Sequence, residues 1–169
     1  MRFPLLPTYL LPALTDVNPA FLNAEGIDLL LLDFDNTIVP YTTSVPSPEM
    51  EAWLRSLPEL GIDCCVVSNS HKPRVKVFCE AYGIPVFTHA AKPFSRGIRQ
   101  ALAAYPQAKK PALVGDQIYT DVLGAGFAGV RSILVRPIHL HKWYLKLRHW
   151  AELPWIAIKK LLQRRDHHA

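Results

Sequence analysis

From residue 28 onward, short continuous apolar runs alternate with stretches whose apolar residues recur every three or four positions. The runs predict strands at 29–34, 62–68, 84–87, 111–115 and 131–135. The periodic stretches predict helices at 48–58, 73–82, 94–105 and 119–127. Gly61, Gly83 and Gly129 stand where helices should stop, and Pro48, Pro73 and Pro93 where helices should start. Regular alternation of strand and helix predicts an α/β fold, a parallel sheet with helices on both faces. There is no internal repeat and no low-complexity segment.

Two segments flank this pattern. Residues 1–27 open with MRFPLLPTYLLPAL, an apolar stretch broken by Pro4, Pro7 and Pro12. No small-residue cleavage site follows, so the stretch reads as an ordered or membrane-facing arm and not as a signal peptide. Residues 138–169 carry a helical pattern. On a 100° wheel Leu140, Trp143, Tyr144, Leu147, Trp150 and Ala151 share one face, with His139, Lys142, Lys146 and His149 opposite. Pro154 is expected to start a second short helix, in which Ile158, Leu161 and Leu162 cluster and Lys159, Lys160 and Arg164 flank them.

Composition changes this picture in three ways. The chain's 169 residues, half of them hydrophobic, suffice for one domain with its own core, 28–137, between the arm and the tail. Cys64, Cys65 and Cys79 form no even framework and have no metal-ligand spacing, which suits a reducing, intracellular compartment. Charge is divided: residues 1–130 hold 10 Lys/Arg against 12 Asp/Glu, whereas residues 131–169 hold 9 against 2, with five of the seven histidines. The basic surface is therefore the tail. No apolar run approaches the roughly 20 residues a spanning helix needs, so the membrane contact expected is peripheral.

The candidate chemistry begins at LLLLDFDNTIVPY, where four leucines run into Asp33 and Asp35. Two carboxylates so close, at the end of a strand buried on both faces, repel each other and lose hydration, unless a cation or a reaction requires them. In open parallel sheets ligands bind beyond the carboxyl ends of the strands. Polar groups collect there in this chain: Asp33, Asp35 and Thr37 after the first strand, Ser68 and Asn69 in VVSNS, Lys92 in AAKP, and Asp116 and Asp121 after ALVG. Hard oxygen ligands without clustered His or Cys suit Mg2+ beside a phosphate. Taken singly, Thr37 and Ser68 are ordinary caps, Lys92 a solvated lysine, and Asp121 a first-turn helix residue. His71 and His89 are placed near the site with no role assigned.

DFDNT, VVSNS, AKP and GDQIYTD, in this order and spacing, resemble the four motifs of the haloacid dehalogenase-like (HAD) phosphatases. The resemblance implies a Rossmann-like HAD fold and a role for each matching residue. Asp33 would be the nucleophile that forms an aspartyl-phosphate, and Asp35 the acid and then the base. Thr37, Ser68, Asn69 and Lys92 would bind the phosphoryl group. Asp33, the Asp35 backbone carbonyl and Asp116 would hold Mg2+, and Asp121 would support the metal's waters or orient Lys92. The segments between motifs leave no room for a large cap domain, so the site is expected to be open.

GIDLLLLDFDNTIVPY, the Pro/Leu-rich start and GDQIYTDVLGAGFAGVRSILVRPI resemble, more narrowly, the YqeG-like phosphatidylglycerophosphate phosphatase branch, over about residues 1–140. That branch carries a polar Asn-Arg pair where this chain has GAGFAG. It implies an anionic phospholipid substrate met at a membrane surface through the basic tail, with lipid favoured over nucleic acid and no protein partner inferable. Two rival readings remain: a HAD phosphatase of a soluble sugar or nucleotide phosphate, and a non-catalytic membrane-attached interaction protein.

Overall fold

A computed structural model describes residues 5–139 and 143–166. In chain order the regular elements are β1 (Tyr9–Leu10), α1 (Pro19–Glu25), β2 (Leu29–Leu32), α2 (Pro48–Ser56), β3 (Asp63–Val67), α3 (Pro73–Ala81), β4 (Val86–Phe87), α4 (Arg96–Ala103), β5 (Pro111–Gly115), α5 (Leu123–Ala128), β6 (Arg131–Leu134) and α6 (Trp143–Asp166). The six strands form one sheet in the order β1-β6-β5-β2-β3-β4, and every pairing is parallel. This is the α/β, Rossmann-like architecture the alternation predicts.

β2 lies between β3 and β5, with all four leucines fully buried. Leu30 and Leu32 face the core built with α1, α2 and α3, where Leu22, Trp53 and Phe78 meet Val66 and Val114. Leu29 and Leu31 face the opposite core, built with α4 and α5 through Ile98, Ala101 and Ala125. A period of two with both faces covered explains why the sequence shows an unbroken run. Each leucine so buried contributes on the order of 2 kcal/mol.

The segment ahead of β2 adds to this sheet and core. Tyr9 and Leu10 pair with Ile133 and Leu134 of β6, and Leu14, Val17, Leu22 and Ile27 join the core. The sequence reading set no element here, yet α1 carries ordinary helix signals. The Asn18 side chain accepts from the Phe21 N–H, Pro19 occupies the first turn, and Gly26 closes the helix at φ 60°. The connections from Asp35 to α2 and from Lys92 to β5 hold no inserted domain among the described residues.

The tail differs from expectation in one respect. Pro154 does not start a second helix: α6 runs unbroken from Trp143 to Asp166 with Pro154 inside it. An interior proline forfeits one backbone hydrogen bond and crowds the preceding turn. Tertiary contacts hold the helix on either side of it. Trp155 and Ile156 pack on Ile118, Val122 and Leu134, the Tyr119 hydroxyl donates to the Ala151 carbonyl, and buried Glu152 accepts from the Ile118 N–H at 2.9 Å. No described helix is long and apolar enough to cross a membrane. Leu140 and Lys142 lie outside the described residues, as do the side chains of Tyr144, His149 and Arg164.

Glu152 is therefore the polar peg that seats α6. Replacing it with Ala leaves the Ile118 N–H without its acceptor, and should lower stability by about 1–3 kcal/mol in urea unfolding. An unchanged unfolding midpoint would show that the bond does not seat the helix.

Candidate active site

The carboxyl edge of the sheet gathers the residues that the sequence singled out. Asp33 follows β2, Ser68 follows β3, Lys92 follows β4 and Asp116 follows β5, so neighbouring strands supply them. Asp33, Asp35, Ser68, Asn69 and Lys92 line one crevice of about 160 Å3 together with Tyr41, Gln117 and Thr120. Thr37 is buried beside this loop and does not line the crevice; its hydroxyl has no hydrogen-bond partner.

Lys92 holds the site together. Its Nζ lies 2.5 Å from Asp33 Oδ1 and 2.7 Å from Asp121 Oδ1, and all three residues are buried. Asn69 fixes the main chain that carries it: the amide oxygen accepts from Lys92 N at 2.7 Å, and the amide nitrogen donates to Lys92 O at 2.9 Å. Ala91, just before it, sits at φ 54°, a left-handed conformation that is unusual for a residue with a Cβ and typical of strained functional loops. Asp121 is placed by the single π-helical turn Ile118–Val122, and its Oδ2 accepts from Gln117 N. Gly115 makes that approach possible, because a Cβ there would collide with the Asp121 carboxylate.

Asp35 faces a different partner. Arg74, from the first turn of α3, donates to its Oδ1 and to the Pro40 and Thr43 carbonyls. Sequence reasoning missed Arg74, which lies outside every motif; a cation in the first turn of a helix that follows VVSNS was the available signal. It also missed Gln117 and Thr120, which stand inside GDQIYTD. Gln117 donates to Asp116 Oδ1 and accepts from Thr120 Oγ1, linking two crevice residues to Asp116, which does not itself line the crevice. The Asn36 side-chain amide donates to the His139 carbonyl and so ties the DFDNT loop to the start of the tail.

Electrostatics follow from burial. Desolvation pushes the Asp33 carboxyl up to about 7; Lys92 opposes the shift, while Asp121 and Asp35 add to it. Burial works against a charged Lys92, yet Asp121 and Asp33 outweigh it and raise its pKa. Asp35 is raised by partial burial despite the pull of Arg74 and Lys72. Oxygens of Asp33, Asp116 and Asp121 lie within 4.8 Å of one another. Three buried carboxylates with oxygens this close are the donor set that a hard divalent cation fits. Asp35 stands apart from that trio, its side chain committed to Arg74.

A family model described as haloacid dehalogenase-like hydrolase matches residues 10–129. The chain belongs to the haloacid dehalogenase-like hydrolases. The HAD chain is also 33% identical over 134 residues to "Probable phosphatase YqeG" of Bacillus subtilis (strain 168), an alignment covering 79% of this chain and 78% of that protein. The expected resemblance to YqeG-like HAD phosphatases is thereby met. Both α4 and α5 reach the lysine loop through small residues, since a Cβ on Gly97 would strike Ala90 and one on Gly124 would crowd Pro93. These close approaches set the position of the HAD lysine.

A carboxyl raised from 3.8 to about 7 favours folding most below pH 4, and the contribution fades as pH rises through 7. Asp33→Asn removes a buried charge and leaves Lys92 paired with Asp121. In EDTA the variant's melting temperature should exceed wild type at pH 8, by about 2–4 °C per kcal/mol recovered, and match it near pH 4. A variant that melts lower at pH 8 would show that the Lys92–Asp33 pair stabilises more than burial costs.

Proposed function

We propose that this protein is a Mg2+-dependent phosphomonoesterase working through an aspartyl-phosphate on Asp33, with phosphatidylglycerophosphate at a membrane surface as its substrate. The observation that carries the catalytic reading is the buried Asp33–Lys92–Asp121 cluster beside a separately held Asp35. A buried carboxylate with a raised pKa is expensive to keep, and both the proposed metal and the incoming phosphate use its charge.

Asp33 attacks phosphorus, forming an Oδ–P bond as the bond to the leaving oxygen breaks. Lys92 sits against the attacking carboxylate, where its ammonium also meets the transferring phosphoryl oxygens. Ser68, which lines the same crevice, offers a hydroxyl to those oxygens, whereas the Thr37 hydroxyl, buried outside the crevice, reaches them only if the DFDNT loop shifts. Asp35, positioned by Arg74, protonates the leaving oxygen. It then takes a proton from water as that water displaces Asp33 from phosphorus and releases inorganic phosphate. Asp33, Asp116 and the Asp35 carbonyl would hold Mg2+, with Asp121 beside them. When bound, the cation neutralises the carboxylates and the phosphate.

The membrane reading rests on α6. Trp143, Leu147, Trp150, Pro154, Ile158 and Leu161 recur on one side of the helix and are exposed, Trp143 and Trp150 at 75% each. The opposite side is the one that packs on the core through Glu152, Trp155 and Ile156. Exposed Lys146 and Lys160 flank the stripe. Aromatics and aliphatics bordered by lysines suit the headgroup region of an anionic bilayer, each lysine adding about 1 kcal/mol near the surface. A capless crevice suits a substrate presented by a surface, which favours this reading over a soluble sugar or nucleotide phosphate.

Asp33→Asn should lower Mg2+-dependent hydrolysis by about 10⁴-fold or more, and Asp35→Asn by about 10²–10⁴-fold. Acid-quenched wild type should carry phosphate on Asp33. Turnover by Asp33→Asn near the wild-type rate, with phosphate elsewhere, would end the mechanism. On the membrane, Trp143→Glu with Trp150→Glu should release the protein from phosphatidylglycerol vesicles in cosedimentation, while hydrolysis of p-nitrophenyl phosphate stays within about twofold. Undiminished sedimentation would remove α6 from the docking surface.

A further inference from the structure

A second cavity, of about 450 Å3, borders the carboxylate cluster at Asp116, between the carboxyl ends of β1 and β6 and the inner flank of α6. Leu10, Leu134, Leu153 and Ile156 supply its apolar wall, and Arg136 and Lys160 its charge. Asp116 lines it too. Because Asp116 and Asp33 oxygens lie within 4.8 Å of one another, the cavity and the catalytic crevice back onto the same carboxylates. Its volume falls in the range of small-ligand pockets, which are apolar with a few placed polar groups.

We propose that this cavity is the substrate's second subsite: it receives the phosphodiester and the glycerol end of the acyl chains while the terminal phosphate sits at Asp33. The inference deepens the phospholipid reading and rests on it. Two features select this occupant. Arg136 and Lys160 are exposed cations, and among the described residues neither pairs with a carboxylate. Two cations on an apolar wall complement a molecule that carries an anion next to hydrocarbon. In such a lipid the second phosphate is one glycerol away from the first, so the subsite requires the cavity to join the crevice past Asp116.

The second feature is the way out. Leu153 lines the cavity and is 42% exposed, one residue from Trp150's exposed stripe at Pro154. Chains leaving past Leu153 would enter the apolar face of α6. The helix then does two things at once: its outer side meets the bilayer and its inner flank forms a wall of the subsite. Arg136 follows β6 at the sheet's carboxyl edge, with its own N–H held by the Pro12 carbonyl, so its backbone is fixed by the β1–β6 junction.

The test compares three substrates with Mg2+ present: p-nitrophenyl phosphate, deacylated glycerophosphoglycerophosphate, and a short-chain phosphatidylglycerophosphate below its micelle concentration. The last of these removes any part played by vesicle docking. Arg136→Ala with Lys160→Ala should lower kcat/KM about tenfold on the two substrates that carry a phosphodiester, and change p-nitrophenyl phosphate hydrolysis by less than about twofold. Leu153→Ser should lower kcat/KM on the short-chain lipid alone. An equal fall on all three substrates, or no fall on the short-chain lipid, overturns the subsite. Wild type that hydrolyses p-nitrophenyl phosphate and refuses both phosphodiester substrates overturns the phospholipid reading and the subsite with it. Wild type that hydrolyses all three, with variants that do the same, overturns the subsite alone.

Discussion

The sharing of one buried ammonium between two carboxylates organises this molecule. Lys92, Asp33 and Asp121 come from three separate segments, and the buried lysine is tolerable only because a carboxylate meets it. The surrounding backbone is arranged around that trio. Asn69 clamps the lysine's main chain from β3, Ala91 accepts a left-handed conformation to deliver it, and Gly115 gives up a side chain so that Asp121 can close in. A third carboxylate, Asp116, comes within 4.8 Å of the other two, and burial leaves Asp33 hard to ionise. Three carboxylate oxygens converging in a buried space are what make the cluster fit a cation.

Legibility in the sequence followed the length and redundancy of the signal. β2, β3, β5 and the helices between them were readable because apolar runs, glycines and prolines agreed along them. β1 was not: two residues cannot show a period, and its pairing with β6 joins positions 124 residues apart. α1 was readable from Asn18, Pro19 and Gly26, but the prolines ahead of it suggested an arm instead. Pro154 misled for a complementary reason. The rule that proline opens a helix is local, whereas Glu152, Trp155 and Ile156 hold α6 through tertiary contacts.

The site was legible where a side chain sits in a motif and illegible where a partner arrives from outside one. Asp33, Asp35, Lys92, Asp116 and Asp121 were all named from the sequence, and the fold brings them to one edge. Arg74 was missed because its first-turn position after VVSNS marks a cation near the site but not its tie to Asp35, thirty-nine positions away in the chain. Asn69 was read as a phosphate ligand; its amide is engaged by the Lys92 main chain on both sides, a geometry that spacing alone does not encode. Thr37 keeps its hydroxyl buried and without a partner, an arrangement that costs free energy unless an acceptor arrives.

On the proposed reading, an open site must still limit solvent while phosphorus is transferred, since screening by water weakens a buried electrostatic cluster. Enzymes that carry a lid do this by closure. Here no inserted domain is available, and the crevice next to Asp35 faces outward. The tie from Asn36 to His139 links the DFDNT loop to the entrance of the tail, and α6 then runs past the second cavity with its aromatic side turned away from the core. On the proposed reading, the surface that presents the substrate completes the enclosure, so docking and desolvation become one event. The exposed tryptophans, costly in water, are then the counterpart of the buried aspartates: each is an unfavourable placement in the isolated chain that the arriving ligand or surface relieves.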